Sequence, residues 1–257
     1  MPSGNTRKAN RGGQRVRAKQ KAQPASTPAL TSMTLSNGDK VEFEGKLTYG
    51  KKDKTLSAGT RKLIEAWEKK REGAKVEYAY SVDKDDNAIG EKRGGKNSVT
   101  TPAYYHQFGA TFSHIHPRDP NKERDVLGGT FSTQDIKVFT RTKEQTCRAA
   151  AKEGTYSITK HRGGVFDGTG LLSYIQNEEQ KANAKKRATN AKENKKLNQA
   201  LKDYHAKKID RKTYDKAYKE YQKNVTKAFN TFLVDMHQAL LDGQSTYNYD
   251  YTLERRK

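Results

Sequence analysis

Cysteine occurs once in these 257 residues, as Cys147, so no internal disulfide can form. The same scarcity excludes a Cys-x-x-Cys zinc site and, with it, the usual zinc deaminase pattern. Long apolar runs are missing too. No stretch approaches the ~20 residues of a membrane span, and the N-terminus lacks the apolar segment of a secretory signal. No membrane partner and no classical secretion are expected. Only 32% of the chain is hydrophobic and the mean hydropathy is −1.11, too polar for the whole length to pack into one core. Acidic residues are absent from 1–38, where Arg7, Lys8, Arg11, Arg15, Arg17, Lys19 and Lys21 lie among Gly, Ser, Gln and Pro. Such a composition cannot offset the entropy of folding, so 1–38 reads as a disordered basic arm. It serves either as a contact to nucleic-acid phosphates or as a solubilising tail. The net charge of +21 points the same way, to a polyanionic partner, most simply nucleic acid bound without sequence specificity.

What is present centres on His114-Ile115-His116-Pro117 and, downstream, Ser132-Thr133-Gln134-Asp135. The run from Ala110 to His116 mixes β-branched, aromatic and small residues, as a strand does, and Pro117 ends it because proline gives no N–H to a ladder. Strand side chains alternate, so His114 and His116 share a face and can meet one ion. Asp135 supplies a carboxylate as third ligand. His₂-carboxylate with an open position is the arrangement of a catalytic zinc. The plainer reading is two half-buried imidazoles beside a helix start. There Ser132 is the N-cap and Asp135 the N3 acid of a capping box, and the helix runs on through Ile136 and Phe139. The two readings are compatible, since a helix N-terminus fixes both groups.

Upstream, a helix is expected from Ser57, a capping residue, to Gly73, with Leu63, Ala66 and Trp67 on one face. Residues 75–82 then alternate as a strand. Val76, Tyr78, Tyr80 and Val82 take one face; Glu77, Ala79 and Ser81 take the other. Asp85-Asp86-Asn87 forms the following turn. Glu77 is therefore an acid on the small-residue face of a strand, either a solvent-facing group or a general base beside a cleft. Glu72 and Glu91 fall at element ends and are weaker candidates. His106 and His161 lie in loops away from ligand spacing.

These motifs resemble the JAMM/MPN metallopeptidase pattern: a distant Glu, then His-x-His-Pro, a spacer, and Ser-x-x-Asp. The likeness rests on His114, His116, Pro117, Ser132 and Asp135 and covers roughly residues 56–160. It is similar above all to JAMM-like domains at the C-terminal ends of phage minor head proteins and related mobile-element proteins. There a Glu-bearing strand and a turn precede a Gly-Gly-Lys-x-Ser-Val segment. The matching pieces here are Glu77, Asp83 to Asn87, and Gly94-Gly95-Lys96-Asn97-Ser98-Val99. The resemblance implies a JAMM/MPN, cytidine-deaminase-like core. It implies zinc on His114, His116 and Asp135, Glu77 as general base, and Ser132 holding the tetrahedral intermediate. The substrate would be a protein or peptide, and the location a virion or host cytoplasm. One departure is the spacer: fifteen residues separate His116 from Ser132, more than the family has. The polar stretch Arg118 to Thr130, ending in Gly128-Gly129, reads as a loop insertion.

Beyond this core, Thr146–Ala151 and Thr155–Lys160 read as a β-hairpin. A charged, solvated helix follows over 176–208, then a better specified one. Asp210 caps the second, Tyr214, Tyr218, Tyr221, Val225, Phe229, Phe232, Met236 and Leu240 form its stripe, and Asp242-Gly243 closes it. The chain thus divides into a basic arm (1–38), a JAMM-like α/β domain with a mixed sheet (39–172), a charged helical hairpin (173–243) and a C-terminal strand (244–257). If that strand returns to the sheet, the hairpin is an insertion. The activity expected is zinc-dependent hydrolysis of amide, peptide or isopeptide bonds. The alternatives are a non-enzymatic, nucleic-acid-associated virion protein with a degenerate JAMM fold, and a metal-dependent nuclease or phosphoesterase.

Overall fold

The computed structural model of the protein describes residues 30–35, 38, 40–52, 54–117, 127–161 and 163–255. Two sheets are built from them. Strands β1 (Leu30–Thr34) and β2 (Lys40–Glu44) form a two-stranded antiparallel ribbon. The main sheet has six strands: β3 (Tyr78–Val82), β4 (Ala88–Arg93), β5 (Thr111–Ile115), β6 (Thr146–Ala150), β7 (Thr155–Lys160) and β8 (Tyr249–Glu254). Their order is β4-β3-β5-β6-β7-β8. Only the β5–β6 pair is parallel, so the sheet is mixed. The crossover between β5 and β6 carries helix α2 (Thr133–Arg141), as a parallel connection requires.

Register assigns each side chain to a face. On one face stand Ala79, Phe112, His114, Cys147, Ala149, Tyr156, Ile158, Tyr251 and Leu253. They form the main core with α2, α3 (Gly168–His205) and α4 (Arg211–Tyr247). On the other face stand Ser113, Ile115, Arg148, Ala150, Ser157 and Glu254. There α1 (Ala58–Lys70) lies across β3 and β5, with Trp67 stacked on Tyr80 at 5.2 Å between centroids. Its start is set by Ser57, whose side chain accepts from the Thr60 N–H at 3.0 Å. The α/β class with a mixed sheet is thus as expected from the sequence.

The element limits need three corrections, and one expectation left open by the sequence is decided. Residues 30–34 belong to β1, so the expected disordered arm of 1–38 is too long. Leu30-Thr31-Ser32-Met33-Thr34 carries strand-forming residues that an acid-poor window hides; residues 1–29 lie outside the described residues. The first long helix starts at Gly168 and not near 176, because the Asp167 side chain caps it, accepting from Gly170 N at 2.8 Å. The second does not close at Asp242-Gly243 but continues to Tyr247, ending on Asn248 in the left-handed region. Gly243 is a packing residue instead: a Cβ there would lie 2.7 Å from the Tyr249 hydroxyl. Finally, β8 pairs with β7 at the sheet edge, so the hairpin interrupts the α/β domain between β7 and β8.

Candidate metal centre

His114 lies in β5, and His116 stands just beyond it, with its N–H still donating to Ala150 O at 3.0 Å. Their rings converge, with Nε2 of His114 3.0 Å from Nε2 of His116. Two ligands at ~2.05 Å from one tetrahedral zinc would stand roughly 3.3 Å apart. Asp135, in the first turn of α2, brings Oδ1 to 3.7 Å from His114 Nε2. One ligand atom from each of the three lies within 4.8 Å of the other two. The donor set fits a borderline-soft divalent ion such as zinc, although it does not fix which ion.

The tautomer of His116 follows from its partners. Nδ1 lies 3.1 Å from Gly128 O and 3.0 Å from Gly129 O, and carbonyls only accept. Nδ1 therefore carries a proton, and Nε2 is the ring nitrogen turned to the centre. Backbone and glycine chemistry permit this close approach. A Cβ on Gly128 would lie 2.8 Å from Ala151 Cβ and Lys152 N, and Gly129 has φ +84°.

Asp135 is oriented by the capping box. The Ser132 hydroxyl and N–H both donate to Oδ2 at 2.7 Å, and Ser132 Oγ accepts from Asp135 N at 3.2 Å. Oδ2 is thereby committed and Oδ1 left for the histidines. The cap and the ligand readings of Ser132-x-x-Asp135 are both realised in one geometry. Burial alone would raise the Asp135 carboxyl; the neighbouring imidazoles and the Ser132 hydrogen bonds outweigh it and hold the pKa below the usual range. For His114, burial pushes the pKa down to about 4 against the pull of Asp135. His114 is thus a neutral ligand at pH 7. A hydrogen bond with the Arg148 backbone also favours its charged form, but burial outweighs it.

Glu77 belongs to the same site. The β3–β5 register pairs Ala79 with His114 and, continued by two residues, sets Glu77 opposite His116. The Gly-Gly-Lys-x-Ser-Val segment encloses it. Glu77 N donates to Gly95 O at 2.7 Å, Gly94 N donates to Glu77 O at 2.8 Å, and the Val99 backbone bonds its carboxylate. Burial raises its pKa above the ordinary glutamate value; His116 offsets part of this and Asp135 adds to it. Glu91 instead pairs with Arg71 on the opposite face.

One residue of the site escapes sequence reasoning. Glu153, at the β6–β7 turn, is buried, and its carboxylate takes the N–H of Gly128 at 2.7 Å, that of Gly129 at 2.9 Å and the Tyr156 hydroxyl at 2.5 Å. It clamps the loop whose carbonyls hold His116. Its only sequence signal is an acid at a hairpin tip, which reads as an ordinary turn residue. The loop insertion expected over Arg118 to Thr130 lies outside the described residues as far as 126; its final part, Leu127 to Thr130, is this anchored segment. Of the other histidines, His106 faces buried Glu144 at 3.4 Å and His161 pairs with Asp250 at 2.9 Å, both away from the centre.

Comparison of the chain with protein-family models, curated proteins and solved structures finds no match in any of the three. No helix among the described residues is long and apolar enough to cross a membrane.

Proposed function

We propose that the chain is a JAMM-type zinc-dependent hydrolase of amide, peptide or isopeptide bonds, working in a phage or mobile-element setting such as a minor head protein of the virion. One observation carries the reading. Two imidazole Nε2 atoms converge at 3.0 Å, one with its proton locked on the far nitrogen, beside an oriented aspartate and a raised-pKa glutamate on the neighbouring strand. Buried lone pairs brought this close are stabilised by a proton or a cation between them. When bound there, zinc supplies Lewis acidity and lowers the pKa of an adjacent water toward ~7. The chain's own groups do the rest. Glu77, its pKa shifted upward by burial, would accept a proton and return it to the leaving amine. His116 and Asp135 arrive pre-oriented by Gly128, Gly129 and Ser132, which avoids reorganisation during reaction.

Ser132 bears on the alternative, a non-enzymatic virion protein on a degenerate JAMM fold. Its O–H donates to Asp135 at 2.7 Å, so it must turn away before it can serve an oxyanion. The test is cleavage of linear and isopeptide-linked peptide libraries by zinc-loaded protein, read by mass spectrometry, with Glu77→Gln beside it. The hydrolase reading expects Glu77→Gln to keep zinc and lose ~10²–10⁴-fold in rate. Equal rates in the two proteins exclude Glu77 as base; cleavage by neither supports the structural alternative.

A further inference from the structure

The distal part of the helical hairpin has almost no core. Beyond Ala182 the one buried residue of α3 is Glu193, and the first buried residue of α4 is Asn230. Tyr214, Tyr221 and Val225 turn toward α3, and Tyr214 stacks on Tyr204 at 5.4 Å near the tip. Lys212, Lys216, Lys219, Lys223 and Lys227 follow at steps of four, three, four and four residues. At 100° per residue they form one row on the α4 face turned away from that apolar stripe. The row spans about 22 Å.

The body of the protein covers one end of this row. Where the face meets β2, Lys223 pairs with Glu42 at 3.1 Å and Lys227 with Glu44 at 2.8 Å. The same face continues into Asn230, which donates to Glu42 O at 3.1 Å. Outward from β2, Lys212, Lys216 and Lys219 are exposed and have no ion pair among the described residues; the acids of that segment, Asp215 and Glu220, flank the row, and Asp215 pairs with Arg211. A groove of about 430 Å³ at the junction sets Lys40, Lys219, Lys223 and Lys227 against Glu42 as its one carboxylate. Residues 181–227 hold sixteen Lys and Arg against five Asp and Glu. The basic arm, seven cations and no acid over residues 1–29, joins the chain at β1 of the same ribbon.

We propose that this α4 lysine row is a docking surface for the phosphate backbone of a nucleic acid, distinct from the metal centre. The length of the row and the seven further cations that the sequence carries before β1 favour an extended polyanion over a single acidic side chain or peptide. Lysines spaced one helical turn apart act as point charges along the strand and read no bases.

The experiment measures binding of full-length protein to a 30-base-pair DNA duplex, a 30-nucleotide single-stranded RNA and polyglutamate over a salt series. The K212E/K216E/K219E variant is compared with K62E/K70E/K75E, which makes the same charge change at exposed positions in and after α1. The row variant is expected to weaken nucleic-acid binding more than tenfold and to lower the log–log salt slope by roughly 2–3. The control should change affinity about threefold or less. The duplex and RNA arms tell which nucleic acid is preferred. Equal losses in the two variants, or tighter binding to polyglutamate than to either nucleic acid, overturn the proposal. The neutral K212Q/K216Q/K219Q variant repeats the test should charge reversal disturb the hairpin.

Discussion

Strands β5 and β6 carry buried polar clusters on both faces. On the α1 side, Arg148 donates from Nε to Glu68 at 2.9 Å and from Nη1 to Ser157 at 3.1 Å, and lies 3.5 Å from Glu254; Ser113 also donates to Glu68, at 2.8 Å. Burial opposes the arginine charge, but Glu68 and then Glu254 and Glu65 raise its pKa further. Each charge there is answered by another side chain. One residue along, on the opposite face, Nε2 of His114 and Nε2 of His116 meet at 3.0 Å with Asp135 beside them. The first cluster pairs fixed charges with one another; the second brings three ligand-type atoms within reach of one point, where they could hold a metal ion.

The largest way to break this comparison is Arg148→Met. It leaves Glu68 buried with its main cation gone, which should cost about 3–5 kcal/mol. Urea denaturation reads the loss, and zinc bound per folded chain should stay unchanged. Loss of zinc without loss of stability would mean that the two faces are one functional unit.

A smaller effect separates a satisfied histidine from the ligand pair. His237 is buried, bonds Tyr251 through Nδ1 at 2.9 Å, and accepts from Thr48 N at 3.3 Å. Burial pushes its pKa down to about 4 from 6.5. The folded state therefore refuses a proton that the unfolded chain accepts below pH 6.5, so stability is lost as pH falls from there toward 4. Roughly 2 kcal/mol should disappear between pH 7 and pH 5. His114, also pushed down to about 4, adds a loss of the same sign over the same window. His237→Gln should therefore remove about half of the combined slope and leave the share of His114; a slope unchanged in His237→Gln would contradict the assignment.

Glu153→Gln sharpens the comparison least in energy but most in meaning. One acceptor oxygen replaces two, so the Gly128–Gly129 clamp is half lost, at about 1–3 kcal/mol. Zinc affinity should fall ~10–100-fold as His116 loses its fixed ring orientation. Titration of variant and wild type checks this, and unchanged affinity would make Glu153 a structural residue alone.

The convergence of His114, His116 and Asp135 was legible because each rests on local spacing. His114 and His116 share a face by strand periodicity, and Asp135 is fixed by a cap three residues away. Glu77 came from the strand alternation together with the family resemblance. What closes around them was not legible, since Glu153 reaches Gly128 over 25 positions and Arg148 reaches Glu68 over 80. In sequence Glu68 is one acid on an amphipathic helix and Glu153 one acid in a turn. β1 was hidden by the basic composition preceding it, and the start of α3 by glycines at 168 and 170 that lower helix propensity. The terminal alternation of Tyr249, Tyr251 and Leu253 announced a strand that could return to the sheet edge, but not that its partner is β7.

The most direct test of the metal centre is zinc titration of metal-free protein followed calorimetrically, with His116→Ala in parallel. About one zinc per chain should bind to the wild type, and none at the same concentrations to the variant. No binding to the wild type, or equal binding to both, would contradict a metal held by His114, His116 and Asp135.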